Sequence, residues 1–536
     1  MAKNRVSHTA TLILAALALA VGCDGASKSG QSSKSVIVRG NGGEPGSLDP
    51  ALAEDIHAFN VLTDLYEGLV AESATGELVP AVAESWTVSE DELSYSFVLR
   101  NDARWSNGDP VTAQDFVRAI QRAANPATAS VYGFLLNPIR NFPEIQNGSM
   151  PVEQLAVVAT GERVLQIQLA KPMPQLLAVL ALPIAFPVHE SATGKGGFSN
   201  GEKFVGNGAY LLASRTPGGP IHLHRNPAYW QAEQVAIEEI VYLPIVDPRT
   251  EFNMYRAGEL DISHTVSLES MGLIRDTAPG DLRIAPFLAL YYLAFDVTEP
   301  PFDDTRLRQA LSMAIDRERL VTLIGRGEQA AYGLVPPGVA GHQNAEFEWR
   351  SLSADERVRQ AQALYGAAGY SDESPLTVTY TYDTGDIHEK IAIAVTSMWR
   401  DALGIDVALK KMEWQYFLDT RAQRSEWQIM RFAWFGDYNH ASTFTNIFRT
   451  DDPQNLPGYA SLDYDRLLDT ASEDTDRRAR AALTGIAEAT LLADHPIAPL
   501  YFYVSKHLVR PGIGGFEPNV LDRHPSKYLF LEEKRK

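Results

Sequence analysis

IAIAVTSMWRDALGIDVALKKMEW, residues 391–414, changes its period in the middle. Up to Leu403 the large apolar residues Ile391, Val395, Met398 and Trp399 recur three or four apart, as on one face of a helix, and the pattern reaches back to Ile387. Gly404 supplies the residue type that ends a helix in a left-handed turn. From Ile405 the apolar residues alternate instead, through Val407 and Leu409, which predicts a strand. A second apolar strand, WQIMRFAWF (427–435), comes next, and DYNH (437–440) reads as a turn. Helices alternating with strands over short connections predict an α/β fold.

The same pattern extends outward. LRQALSMAIDRERLVTLI (307–324) reads as one long helix with Leu307, Leu311, Ala314 or Ile315, and Leu320 along a face. Nearer the N-terminus, SVIVRGN (35–41) reads as a strand and Phe59 to Leu69 as an amphipathic helix. LSYSFVLR (93–100) places Leu93, Tyr95, Phe97 and Leu99 on one strand face. Thr112 with Asp115 forms a capping-box pattern that opens a helix through about Ala124, closed by Asn125-Pro126. LYYLAFDV (290–297) runs into Glu-Pro-Pro, a sharp break between domains.

A chain of 536 residues exceeds what one core supports, so two to four domains are expected. The net charge of −20 argues against nucleic-acid partners and against adhesion to anionic lipid. Lys3 and Arg5 precede TLILAALALAV, a run too short to span a bilayer, which ends at Gly22-Cys23. Residues 1–22 read as a signal peptide, and Cys23, the sole cysteine, as the lipid-modified residue of a lipobox. Cleavage there removes two positive charges and takes the net charge to −22. Residues 23–35 then form a flexible tether of small polar residues.

Catalytic motifs are missing. No HExxH, GxSxG elbow, P-loop or dinucleotide fingerprint occurs, and the one cysteine excludes a Cys-rich metal centre. His222 and His224 share a strand face but lack an obvious third ligand in the sequence. No catalytic residue, cofactor or metal is therefore expected. Asp437, placed directly after Trp434-Phe435-Gly436, poses a different question. A carboxylate beside bulky rings needs a cation or several donors, supplied by the protein itself or by a ligand, unless it merely caps the turn.

Several segments together resemble the oligopeptide-binding group of the family 5 extracellular solute-binding proteins, the capture components of ABC importers. They include SLDP (47–50), DLYEGLV (64–70), AESWTVSEDELSYSFVLRNDARWSNGDPVTAQDFV (83–117), GNGAYLL (206–212), NPAYW (226–230) and YRAGELDI (255–262). PPFDDTRLRQALSMAIDRERL (300–320), WQYFLDTR (414–421) and WFGDYN (434–439) complete the set. The resemblance implies a bilobed periplasmic-binding-protein-like α/β fold (type II, cluster C) with an additional domain and mixed sheets flanked by helices. It implies a discontinuous domain I (36–56, 190–288, 500–536), an additional domain II (57–189) and a domain III (289–499). The implied function is capture of short peptides with a free N-terminus between closing lobes. Delivery would be to permease and ATPase subunits in the inner membrane. The implied protein is a monomer in the periplasm, held to the membrane by its lipid, with no enzymatic activity. Murein peptide, dipeptide or another solute on the same fold is the alternative, and a secreted peptide hydrolase the alternative of another class.

By the resemblance, Asp437 meets the peptide's α-amino group, and Trp434 and Trp414 wall side-chain pockets. Arg431, Arg421 and His388 approach the C-terminal carboxylate. Glu54, Ile56, Tyr132, Ala433, Phe435 and Tyr292 complete the ligand contacts. Leu182, Ala294 and Gly325 replace polar pocket groups of a relative, and Ala289 and Phe435 stand where that relative has a disulfide. On a regular strand Arg431 and Trp434 point to opposite faces, so contact of both with one ligand requires a bulge or a strand end between them.

Overall fold

A computed structural model describes residues 35–532, apart from 194–196, 199–200, 202, 385 and 425. The signal peptide and Cys23 lie outside the described residues. Among the described residues no helix is long and apolar enough to cross a membrane.

The largest sheet has six strands, in the order Gln329–Ala330, Ile497–Leu508, Leu282–Phe295, Ile429–Phe435, Thr377–Asp383 and Asp406–Met412. Leu282–Phe295 runs antiparallel to both neighbours, whereas Thr377–Asp383 is parallel to Ile429–Phe435 and Asp406–Met412. A parallel pair needs a crossover, and the helix Asp386–Leu403 provides it, joining Thr377–Asp383 to Asp406–Met412. The change of period around Gly404 is thus the second half of a strand–helix–strand unit. Gly404 itself adopts φ +67.

Every residue from Leu288 to Phe295 is buried, because both faces of this sheet are covered. Tyr291, Leu293 and Phe295 pack with Leu307, Leu311, Ile391, Val395 and Trp399 from the helices on one side. Leu290, Tyr292 and Ala294 pack with Phe444, Phe448, Tyr464 and Leu491 on the other.

Two short two-stranded sheets and two four-stranded ones make up the rest among the described residues. One orders Val36–Gly40, Glu239–Leu243, Ile221–Arg225 and Tyr210–Arg215. The other is antiparallel throughout, with Ala83–Val88, Ser94–Leu99, Val164–Gln168 and Val157–Gly161. Ile37, Leu223 and Ile240 of the first share one continuous apolar cluster with Phe97, Leu165 and Ile167 of the second. A two-stranded ribbon, Leu282–Pro286 against Val504–Leu508, leaves the six-stranded sheet toward the first of these; Ile262 bridges Arg39 on one side and Val509 on the other. Its register is interrupted between Pro286 and Leu290.

The capping box at Thr112 opens the helix Ala113–Ala124 as expected. Two boundaries differ from expectation. The helix expected over Phe59–Leu69 spans Ile56–Leu65, because Asp55 caps it by accepting from the Ala58 amide, and Leu69 lies beyond its end. The single helix expected over 307–324 is two, Thr305–Met313 and Arg317–Ile324. Asp316 caps the second, accepting from the Arg319 amide at 3.0 Å. The fully buried Arg317 guanidinium donates to the carbonyls of Ser312 and Pro499, which fixes the corner.

Candidate functional site

The strand Ile429–Phe435 pairs with Leu282–Phe295 without a register shift, from Ile429 opposite Phe295 to Phe435 opposite Ala289. No bulge separates Arg431 from Trp434. Side chains therefore alternate: Arg431, Ala433 and Phe435 stand on one face and Phe432 and Trp434 on the other. The strand ends at Gly436, whose amide donates to the Leu288 carbonyl at 2.7 Å. A Cβ at Gly436 would lie 2.5 Å from Leu288 Cδ2, so this approach requires glycine.

Asp437 follows directly. Its amide donates to Thr443 Oγ1 at 3.3 Å, and its carbonyl accepts from Arg523 Nη2 at 2.7 Å. Arg523 in turn pairs with the buried Glu72 at 2.7 Å. The backbone is thus pinned from two elements while the carboxylate points elsewhere. Among the described residues its one side-chain hydrogen bond comes from the Tyr132 hydroxyl, 3.3 Å from Oδ1. Among the described residues no cationic side chain forms an ion pair with Asp437. Burial raises its pKa above the ordinary carboxylate value, against the opposing pull of Arg523 and the Tyr132 hydroxyl. An ionised carboxylate accepts about four hydrogen bonds, so capacity remains.

Asp437 and Trp434 open on a cavity of about 780 Å³. Its walls come from two distant stretches, one with Phe134, Met173 and Gln175 and one with Tyr438, Gln454 and Arg480. The buried Trp434 Nε1 has no hydrogen-bond partner among the described residues. Tyr132 is held edge-on against Phe59 at 5.6 Å, and Glu54 lies near enough to act on the Tyr132 hydroxyl. Glu54 and Ile56 are both exposed.

The opposite face of the strand carries a second cluster. Arg431 pairs with Asp383, both side chains about nine-tenths buried. Its guanidinium lies over Phe417 at 5.2 Å and Trp414 at 5.8 Å. His388 Nδ1 is 3.2 Å from the Tyr291 hydroxyl and its Nε2 is 3.9 Å from Asp383. Burial first, and the Arg431 charge second, bring the His388 pKa down to about 4, so the ring is neutral at pH 7. Phe435 is half-exposed and packs against Tyr503 at 5.2 Å. Ala433 sits opposite Tyr291.

Asp383 is the residue that sequence reasoning missed. It ends the buried strand TVTYTYD, where a carboxylate raises the same question as Asp437.

Arg421 belongs to neither cluster. It lies over the Phe432 ring at 4.7 Å, on the Trp434 face, and donates to Gln454 at 3.1 Å, which lines the cavity. Tyr292 is fully buried between Phe432 and Phe448. The strand thus separates Arg421 and Tyr292 from Arg431 and His388. Leu182 and Ala294 are buried in apolar clusters, and Gly325 caps a helix in the left-handed region. Ala289 and Phe435 face each other directly across the pair of strands. His222 pairs with Glu239 at 3.1 Å on the sheet surface.

Residues 77–455 match the model of the bacterial extracellular solute-binding proteins, family 5. The chain is 37% identical to the periplasmic oligopeptide-binding protein of Escherichia coli (strain K12) over 489 residues, 90% of each chain. Among solved structures it is similar to the periplasmic murein tripeptide-binding protein in an unliganded open form, with TM-score 0.84 and 35% identity over 94% of this chain and 99% of that one. It is also similar to the Haemophilus influenzae oligopeptide-binding protein in complex with the peptide RPPGFSPFR, with TM-score 0.76, 32% identity and the same coverage.

Proposed function

We propose, from the premise that the chain belongs to the bacterial extracellular solute-binding proteins of family 5, that it captures short peptides through their free N-terminus. The observation that carries this reading is the half-buried Asp437 carboxylate, which among the described residues has one Tyr132 hydroxyl and no ion-pair partner, beside a cavity and the Trp434 Nε1 that no described residue bonds. An α-ammonium brings three donors and the missing charge, and charge-assisted bonds in such a place are short and strong. The tryptophan faces provide contact area with little selectivity among side chains.

The function is capture and release, with no chemical step assigned to any residue. The peptide is carried to the permease and ATPase of an ABC importer by a monomer in the periplasm, anchored through Cys23. Residues 36–56, 190–288 and 500–536 form domain I, 57–189 domain II and 289–499 domain III. The interrupted ribbon Leu282–Pro286 with Val504–Leu508 supports a hinge between lobes. Ligand then shifts an open–closed equilibrium by its greater affinity for the closed form.

A murein peptide is the second reading, supported by the likeness to the murein tripeptide-binding structure. The test is calorimetry on protein stripped of endogenous ligand, titrated with a tripeptide and with its N-acetylated form. Tight binding of the first and a large loss for the second is expected. Equal binding of both would move recognition away from Asp437, and binding of murein tripeptide alone would select the second reading.

A further inference from the structure

Far along the chain from the strand 429–435, His507, Asp522 and His524 gather into a cluster that does not line the cavity at Asp437 and Trp434. Their donor atoms all lie within 4.8 Å of one another, the one such group of three among the described residues. His507 Nε2 is 2.7 Å and His524 Nε2 3.1 Å from the same oxygen, Asp522 Oδ1. Two imidazoles and a carboxylate converging through Nε2, Nε2 and Oδ1 are the donor set of a transition-metal centre with room for a further ligand. We propose that these three residues bind one transition-metal cation of the zinc class.

The surroundings of His507 are those a metal ligand requires. His507 Nδ1 is 2.9 Å from the Ser263 carbonyl, so it carries the proton there and leaves Nε2 to face the ion. The ring is buried at the end of the strand Ile497–Leu508. The loop bearing the other two ligands is clamped by the buried Asn519. Its side chain donates to the Arg523 carbonyl at 2.9 Å and accepts from the Arg523 amide at 3.2 Å. Asp522 takes a left-handed φ of 54, and its side chain keeps 19% of its surface exposed, which leaves an entry path for an ion. His524 lies flat on Phe516, with centroids 3.7 Å apart, and its Nδ1 is buried without a partner among the described residues.

Any Nε2 proton shared with Asp522 Oδ1 in the metal-free cluster is given up when the ion takes its place, to solvent or to the other nitrogen of the same ring.

The test uses the mature full chain after chelator treatment, titrated with Zn²⁺ by calorimetry, and with Co²⁺ for its visible absorption. One ion per chain is expected. His524→Phe keeps the stack on Phe516 and Asp522→Asn keeps the shape, and each should weaken zinc by at least about 100-fold. His222→Ala should leave zinc affinity unchanged, and an unaltered circular-dichroism spectrum certifies that each variant is folded. Zinc-edge anomalous scattering should place the ion among the three donor atoms. Absence of saturable zinc binding, or equal affinity in the native chain and in His524→Phe, would overturn the proposal and leave the cluster an ion-pair triad.

Discussion

Asp437 and Arg431 stand six residues apart on one stretch of chain and are solvated in opposite ways. Asp437 is a half-buried carboxylate with no ion-pair partner among the described residues, and Arg431 is a buried cation already held by Asp383. Both occur among aromatic rings, and in sequence both look like charges awaiting a partner. The difference lies in what the fold brings to each. The regular alternation of Ile429–Phe435 turns Arg431 toward Thr377–Asp383, whose last residue is a carboxylate. The strand end at Gly436 turns Asp437 toward Tyr132, which offers a single hydroxyl. One site is electrostatically complete without ligand and the other is not. A complete site contributes to stability, and an incomplete one contributes to binding.

Removing a partner from each site separates these roles. Arg431→Ala leaves Asp383 buried and unpaired, and a loss of about 3–5 kcal/mol in folding stability is expected, readable in urea unfolding. Asp437→Asn should change stability by less than about 1 kcal/mol while lowering tripeptide affinity about 100-fold, close to 3 kcal/mol. Equal destabilisation by the two substitutions would erase the distinction. Asp383→Asn sharpens it from the other side. Freed of its carboxylate, Arg431 becomes able to receive one from a ligand, and peptides short enough for their C-terminus to reach it should gain about tenfold in affinity, with longer ones unaffected. A uniform change across peptide lengths would place the C-terminal end away from Arg431.

The parts legible in the sequence were those that local chemistry decides. The change of period at Gly404 announced the strand–helix–strand unit, and Thr112 with Asp115 announced a helix start. The corner at 314–316 was missed although Asp316 followed by Glu318 is a helix start in its own right, because the apolar spacing runs straight through it. Asp437 was legible because it broke the apolar character of its own strand. Asp383 was passed over for lack of a visible partner, since Arg431 lies 48 residues away and reaches it only through the parallel pairing. The cluster of His507, Asp522 and His524 was equally hidden. The carbonyl that fixes the His507 tautomer belongs to Ser263, 244 residues earlier, so no spacing rule applies to it.

The smallest expected effects concern protons at the incomplete site. Binding an ammonium requires the Asp437 carboxylate in its charged form. Burial raises the pKa of this group in the free protein, so it protonates at a higher pH than an ordinary aspartic acid. Peptide affinity should therefore fall as pH drops through that raised value, by about a factor of ten per pH unit below it, and Asp437→Asn should abolish the dependence. The sign is opposite for stability without ligand: a raised carboxyl pKa favours the folded state below the unfolded value, and this contribution is lost as pH rises through the folded value. Tyr132→Phe tests the last element. The hydroxyl favours the charged carboxylate, so its removal should move the midpoint of the affinity curve to higher pH and weaken binding at neutral pH by about 2- to 10-fold. An unmoved midpoint would mean that Tyr132 only fills space against Phe59, and that Asp437 meets its cation without help from the second stretch of chain.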